Sequence, residues 1–318
     1  MFNIIPQPVS ILVNRDRKGF TLHAGTTISP YDFCEEFISF ARKNFNKKVR
    51  IHEDTGEEKS IILKIDDTIT HNEGYTIKCE NRRVYINAKT ETGLFYGLQT
   101  LKQMLLQTEG KIPYTEICDE PRFAYRGLNL NCEKNAYTVD EIKRIVGLMS
   151  LHKLNVLRLC DSDNHYTQED VKEIVAYCQA RKIKIITETE NDKKINSSEY
   201  PYRFDYPYGM NTLKQVCNND GALDEKTSGI EAYINTEYIS NIKRLEYLAF
   251  PRLAAMAENA WAEKGYPTFS TFLHKSQDYY KLLGAYDVSG APIKKACPSF
   301  IYKHASSLVF KIKTKVKK

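Results

Sequence analysis

At 318 residues, with 42% hydrophobic and 27% charged side chains, the chain has the composition of a globular protein long enough for two cores, which excludes disordered and fibrous classes. No apolar run reaches the ~18 residues that span a bilayer, and residues 1–8 lack a basic stretch followed by an apolar one; as given, the chain reads as cytoplasmic, or as secreted or lysosome-like if a leader is missing. The net charge of +6 belongs to one end, since residues 289–318 hold eight lysines and no acid while everything before them sums to −2. That distribution argues against nucleic acid as a partner and marks the end as a solvated basic tail, or an edge strand protected by Lys311, Lys313 and Lys315 alternating with Ile312, Thr314 and Val316.

Residues 31–44 read as a helix. Residues 75–79 and 84–88 alternate apolar with polar around a polar break at 80–82, a hairpin pattern. Residues 90–106 place Leu94, Leu98, Leu101 and Leu105 at helical spacing. Asp119-Glu120-Pro121 then punctuates the chain. Beyond it an extended run at 123–130 leads to a helix opened by Thr138 with Glu141 three positions on, a capping box. A second run at 154–159 leads to a helix opened by Thr167 with Asp170 and carrying Val171, Ile174, Val175 and Cys178; a third run follows at 183–186. This repetition predicts an α/β fold with a parallel sheet and right-handed crossovers, either a barrel or a doubly wound fold.

Residues 188–202 are polar and aperiodic and read as loop. After them the pattern predicts an extended stretch at 212–216, a strand at 229–234, and helices at 243–262 and 268–283. Residues 119–290 number 172, against ~250 for a typical eight-fold β/α barrel. A barrel here is short by two or three units, so about five strands are expected. The eight cysteines lie no closer than 14 positions apart, which excludes a zinc-type pair and favours free, mostly buried thiols. No motif calls for a metal or cofactor.

The junction Asp119-Glu120-Pro121-Arg122-Phe123-Ala124-Tyr125-Arg126-Gly127-Leu128 resembles the start of the catalytic barrel in family 20 glycoside hydrolases, the β-N-acetylhexosaminidases. Three further segments agree in order: His152-Lys153-Leu154-Asn155-Val156-Leu157, Phe204-Asp205-Tyr206-Pro207-Tyr208, and Phe250-Pro251-Arg252-Leu253-Ala254-Ala255-Met256-Ala257-Glu258 followed by Trp261. Upstream, Glu73-Gly74-Tyr75 and Gly93-Leu94-Phe95-Tyr96-Gly97-Leu98-Gln99-Thr100-Leu101 resemble the accessory domain of that family. The resemblance implies a small α+β accessory domain over 1–118, an incomplete TIM-type barrel over 119–288 and a basic tail over 289–318.

It also implies an amino-sugar glycan as partner and exo-hydrolysis of terminal N-acetylglucosamine or N-acetylgalactosamine by substrate-assisted chemistry. There the acetamido oxygen of the substrate attacks the anomeric carbon, an Asp orients that amide, and the adjacent Glu protonates the leaving oxygen. In the family this Asp-Glu pair follows the third barrel strand. Here that strand ends at 187–190, and Arg203-Phe204-Asp205 already resembles the region near strand seven, so no catalytic residue is assigned. The remaining Asp-Glu dipeptides sit at the junction (119–120), in the first turn of a helix (140–141) and in a loop (224–225).

Other family positions are replaced, by Asn131, Lys134, Asn135, Cys160, Thr187, Glu190, Arg203 and Asn235. Arg126, Asp163, Asp205 and Glu237 match family positions that hold sugar hydroxyls or brace the site and are the candidate substrate-binding residues, with pairing among themselves the alternative. Trp261 is read as core packing rather than a sugar platform. The resemblance therefore implies a hexosaminidase-like protein without hydrolytic activity, with a glycan-binding or scaffold role as the alternative. Hydrolysis through Asp205 or Glu237, and a truncated product with no role of its own, also stay open. An incomplete barrel would leave edges through which copies could associate.

Overall fold

The computed structural model describes residues 2–52, 59–161, 165–187, 202–203, 211–219 and 227–297. The first part contains β1 (Ser10–Asn14), β2 (Phe20–Thr21), β3 (Thr27–Ile28), α1 (Cys34–Phe45), β4 (Arg50–Ile51), β5 (Ser60–Ile65), β6 (Tyr75–Glu80), β7 (Arg83–Ala88), α2 (Glu91–Gln107), β8 (Lys111–Ile112) and β9 (Tyr114–Asp119). Seven of these strands form a mixed sheet in the order β1-β9-β6-β7-β5-β3-β4. β6 and β7 are the expected hairpin. Asn81 and Arg82 take φ of 48° and 70°, the two consecutive left-handed residues of a tight hairpin turn, so a polar break does here what Asn-Gly usually does. α2 begins where the Thr90 side chain accepts the Thr92 N–H. Its leucines then pack with Ile77, Val84 and Ile86 of the hairpin into one apolar core.

The second part contains β10 (Tyr125–Asn131), α3 (Val139–Leu151), β11 (Val156–Cys160), α4 (Gln168–Ala180), β12 (Lys184–Thr187), β13 (Tyr202–Arg203), α5 (Leu213–Cys217), β14 (Gly229–Asn235), α6 (Ile242–Ala249), α7 (Arg252–Trp261), α8 (Phe269–Ala285) and α9 (Ile293–Ala296). Thr138 with Glu141 and Thr167 with Asp170 close full capping boxes at the starts of α3 and α4. Among the described residues the sheet has five strands, all parallel, in the order β12-β11-β10-β14-β13. The last strand, β14, lies beside the first, β10, as barrel closure requires. Residues 188–201, fourteen positions, separate β12 from β13, whereas one β/α step takes about 30 residues. The sheet is an accessory domain's neighbour with the form of a partial barrel.

One face of this sheet is aliphatic. Leu128, Leu130, Leu157, Leu159, Ile230, Ala232 and Ile234 pack with Ile145, Met149, Ile174, Leu245 and Leu253 of the surrounding helices, the arrangement that buries both partners of a β/α layer. Trp261, at the end of α7, instead joins the core of the first part, as its reading as a packing residue requires.

Two expectations change. Residues 212–216, expected to be extended, start a helix: Thr212 and Gln215 close a third capping box, and Leu213, Val216 and Cys217 turn one face into the core. The helix expected over 243–262 is two helices, α6 and α7. Pro251 has no N–H to give and its ring pushes Phe250 out of the helical region, to φ −101° and ψ 136°. All eight cysteines are free; five are buried, Cys160 and Cys297 are half-buried and Cys118 is exposed. No helix among the described residues is long and apolar enough to cross a membrane. Most of the basic tail, from residue 298 on, lies outside the described residues.

Candidate functional site

Residues matched in register on neighbouring parallel strands share a face. On the face turned away from the helices these sets are Tyr125 with Gly229, Gly127 with Val156 and Glu231, Asn129 with Arg158 and Tyr233, and Asn131 with Cys160 and Asn235. Where the opposite face is aliphatic, this one is polar. In a complete barrel it would be the interior, with functional groups gathered at the C-terminal strand ends.

Two glycines make room on it for Tyr125. A Cβ on Gly127 would come within 2.7 Å of the Tyr125 ring, and one on Gly229 within 2.4 Å of its Cβ and 2.6 Å of its carbonyl oxygen. The Tyr125 hydroxyl donates to Glu231 Oε1 at 2.5 Å, and Arg158 Nε approaches the same oxygen at 3.5 Å across the Cβ-free strip at Gly127. Burial first, and the Glu231 charge second, push the Tyr125 hydroxyl well above its usual range, so it serves as a donor. Gly229→Ala is expected to lower stability by about 1–3 kcal/mol because its Cβ must displace backbone. Gly284→Ala, at a helical position with open space around it, is the control that should lose nothing in the same urea titration.

Arg126 is placed differently from the sequence expectation. It is 1% exposed, and each of its five N–H groups is taken. Nε donates to the Lys153 carbonyl, Nη1 to Glu73 Oε2 at 2.8 Å and the Phe123 carbonyl at 2.7 Å, and Nη2 to Glu73 Oε1 at 2.9 Å and the Tyr96 hydroxyl at 3.3 Å. No donor remains for a sugar hydroxyl. The fork binds a carboxylate of the accessory part instead, an interdomain tie in ideal bidentate geometry.

Asp119-Glu120 is a second tie. The Lys153 ammonium and Asp119 carboxylate pair at 2.9 Å with both side chains fully buried. Asp119 also accepts from the Tyr75 hydroxyl, from Trp261 Nε1 at 2.8 Å and from the Val9 N–H at 3.3 Å. Asp140-Glu141 opens α3, where Glu141 completes the cap. Asp224-Glu225 lies outside the described residues, as do the candidates Asp163 and Asp205.

Glu237 is exposed, two positions past the end of β14 and hence at the mouth of the sheet, with its N–H on Asn235 Oδ1 at 3.0 Å. Asn131 makes the same local turn at the end of β10, accepting the Glu133 N–H at 3.1 Å. The Thr236 hydroxyl is within 2.8 Å of the Asn131 carbonyl and 2.6 Å of that of Asn135, joining the two strand ends. Among the described residues no group of three or more His, Cys, Asp or Glu side chains could hold a metal. Arg158 and Glu231 were not singled out from sequence, since 73 positions separate them and no local motif contains both. Alternation alone would have set each on the polar face of its strand.

Comparison with known proteins places this geometry. The family model described as glycosyl hydrolase family 20, domain 2, matches residues 1–120, and that of the glycosyl hydrolase family 20 catalytic domain matches residues 123–165 and 190–264. The chain is 30% identical over 173 residues to a beta-N-acetylhexosaminidase of Cellulomonas fimi, covering 51% of this chain and 34% of that protein. It is 32% identical over 171 residues to a beta-hexosaminidase of Porphyromonas gingivalis, covering 48% and 22%. The matches thus span 34% and 22% of these relatives' own length. In fold, the N-acetyl-beta-hexosaminidase of Streptomyces plicatus superposes with a TM-score of 0.76 at 16% identity, covering 91% of this chain and 96% of that chain.

Proposed function

The chain belongs to glycosyl hydrolase family 20, and on that footing we propose that it is a β-N-acetylhexosaminidase-like protein that holds an amino-sugar residue of a glycan without hydrolysing it. On this reading residues 1–118 brace the barrel segment 119–288, and residues 289–318 form a tail. The observation that carries it is the fourteen-position link between β12 and β13. Substrate-assisted hydrolysis needs one carboxylate to orient the acetamide and a neighbouring protonated one to serve the leaving oxygen. The stretch in which the family carries that pair has no room here. Among the described residues, no Asp-Glu dipeptide ends a strand of the parallel sheet.

Support for retained sugar binding comes from the other end of the barrel segment. β14 is in full register with β10, and Glu237 stands exposed at its mouth, where a carboxylate can accept from sugar hydroxyls. Titration of the full chain with N-acetylglucosamine by ligand-observed NMR is expected to show saturable binding that weakens about tenfold in Glu237→Gln. Equal binding by the variant and the parent would remove Glu237 from the site.

A further inference from the structure

β1 is an open edge of the accessory sheet. Among the described residues it pairs with β9 alone. Which of its backbone groups face outward follows from the hairpin. The two-residue turn at Asn81-Arg82 makes Glu80 and Arg83 a hydrogen-bonded pair, and in an antiparallel ladder such pairs alternate with non-bonded ones. Followed through the registers of β6, β9 and β1, the alternation spends Ser10, Leu12 and Asn14 on β9 and points the N–H and C=O groups of Ile11 and Val13 outward. Edges of this kind are ordinarily blunted by charge, proline or a bulge. β1 has none of these: Ser10-Ile11-Leu12-Val13-Asn14 is uncharged and keeps five residues in unbroken register with β9. Its middle residue, Leu12, is 54% exposed, the most of any large hydrophobic residue among those described.

We propose that β1 docks on β1 of a second copy of this chain, antiparallel about a twofold axis through Leu12. The strand is self-complementary about that residue. Ile11 of each copy meets Val13 of the other, each pair exchanging both N–H···O=C bonds, while Leu12 faces Leu12 as a non-bonded pair, the type whose side chains lie closer. Ser10 falls opposite Asn14, a polar pair at either end. Charge agrees with this direction. The pairing brings the Arg15 end of each strand to the Val9 end of the other, where Asp119 holds the Val9 N–H and Glu120 follows. Arg15 and Glu120 are exposed, and neither has an ion-pair partner among the described residues. The edge lies on the accessory part, away from the strand ends of the partial barrel, so the contact stands independently of any sugar binding.

Sedimentation equilibrium of the full chain at concentrations up to about 100 μM is expected to give the mass of two chains, in the micromolar equilibrium that a contact of this size supports. Leu12→Lys should give the mass of one chain with an unchanged urea midpoint, because its ammonium has Glu116 in register beside it within the chain but meets its own charge across the axis. The register is read by locking. In a Cys118→Ser background, which removes the exposed native thiol, oxidised glutathione should link Leu12→Cys into a disulfide dimer and leave Ser10→Cys unlinked, since a non-bonded pair holds its Cα atoms about 4.5 Å apart. A parent that sediments as one chain would overturn the proposal. So would a dimer that Leu12→Lys leaves intact, as one built on the barrel edges would be, or one that Ser10→Cys locks as readily as Leu12→Cys. Should Leu12→Lys fail to fold, the locking result decides.

Discussion

Asp119→Ala is expected to cost about 3–5 kcal/mol of folding stability, a large share of the 5–15 kcal/mol typical of a whole protein. The loss would come from what stays behind. Lys153 and Asp119 are both fully buried. Burial lowers the proton affinity of the Lys153 ammonium and the Asp119 charge opposes that; without the carboxylate, an ammonium would be left with the Tyr75 hydroxyl at 2.7 Å and the face of the Trp261 ring at 4.3 Å, and no counter-charge. The Trp261 indole and the Val9 N–H would lose their acceptor as well. Adding Lys153→Met to Asp119→Ala should return part of the loss, since it removes the stranded charge. Trp261 is the single tryptophan of the chain and donates to Asp119, so its fluorescence in a urea titration reads the transition at the site of the change. A loss under about 1 kcal/mol would mean that the pair does not hold the two parts together.

Acid should remove about 3 kcal/mol through His152 alone. Its imidazole is fully buried, stacked on Phe250 at 5.2 Å, with Nδ1 2.7 Å from the Leu148 carbonyl and Nε2 3.0 Å from the Tyr279 hydroxyl. Burial lowers its pKa from 6.5 to about 4, against a smaller opposing effect of the Leu148 hydrogen bond. Between those two values the unfolded chain takes up a proton that the folded chain refuses. The contribution is therefore complete above the unfolded pKa and is lost as pH falls toward the folded one. Comparing unfolding midpoints at about pH 7 and about pH 4.5 in the parent and in His152→Gln isolates it. The variant should show the shallower dependence, and equal slopes would show that the imidazole does not stay neutral in the fold.

Local features of the sequence were legible where the chain itself supplies the partner. Thr138 with Glu141 and Thr167 with Asp170 satisfy each other across one turn, so both helices could be read at their first residues. The Thr212 and Gln215 box obeys the same rule, yet its five-residue helix is too short to show a period. Pro251 carried the break between α6 and α7 in plain view. The site was harder because its bonds are long-range. Arg126 finds its carboxylate 53 positions upstream, in a different part of the molecule, and nothing near Arg126 distinguishes a sugar contact from that ion pair. Arg158 and Glu231 meet only because β11 and β14 flank β10, a consequence of barrel order rather than of either strand. Chain length, in contrast, was sufficient to foretell the five parallel strands found among the described residues.

Binding without cleavage is tested most directly by incubating the full chain with a chromogenic N-acetyl-β-glucosaminide from acidic to neutral pH and following chromophore release beside N-acetylglucosamine binding in the same preparation. The expected result is saturable binding with no release above the buffer rate. Turnover that disappears in Glu237→Gln would contradict it, because a carboxyl at the mouth of β14 would then be serving the leaving oxygen.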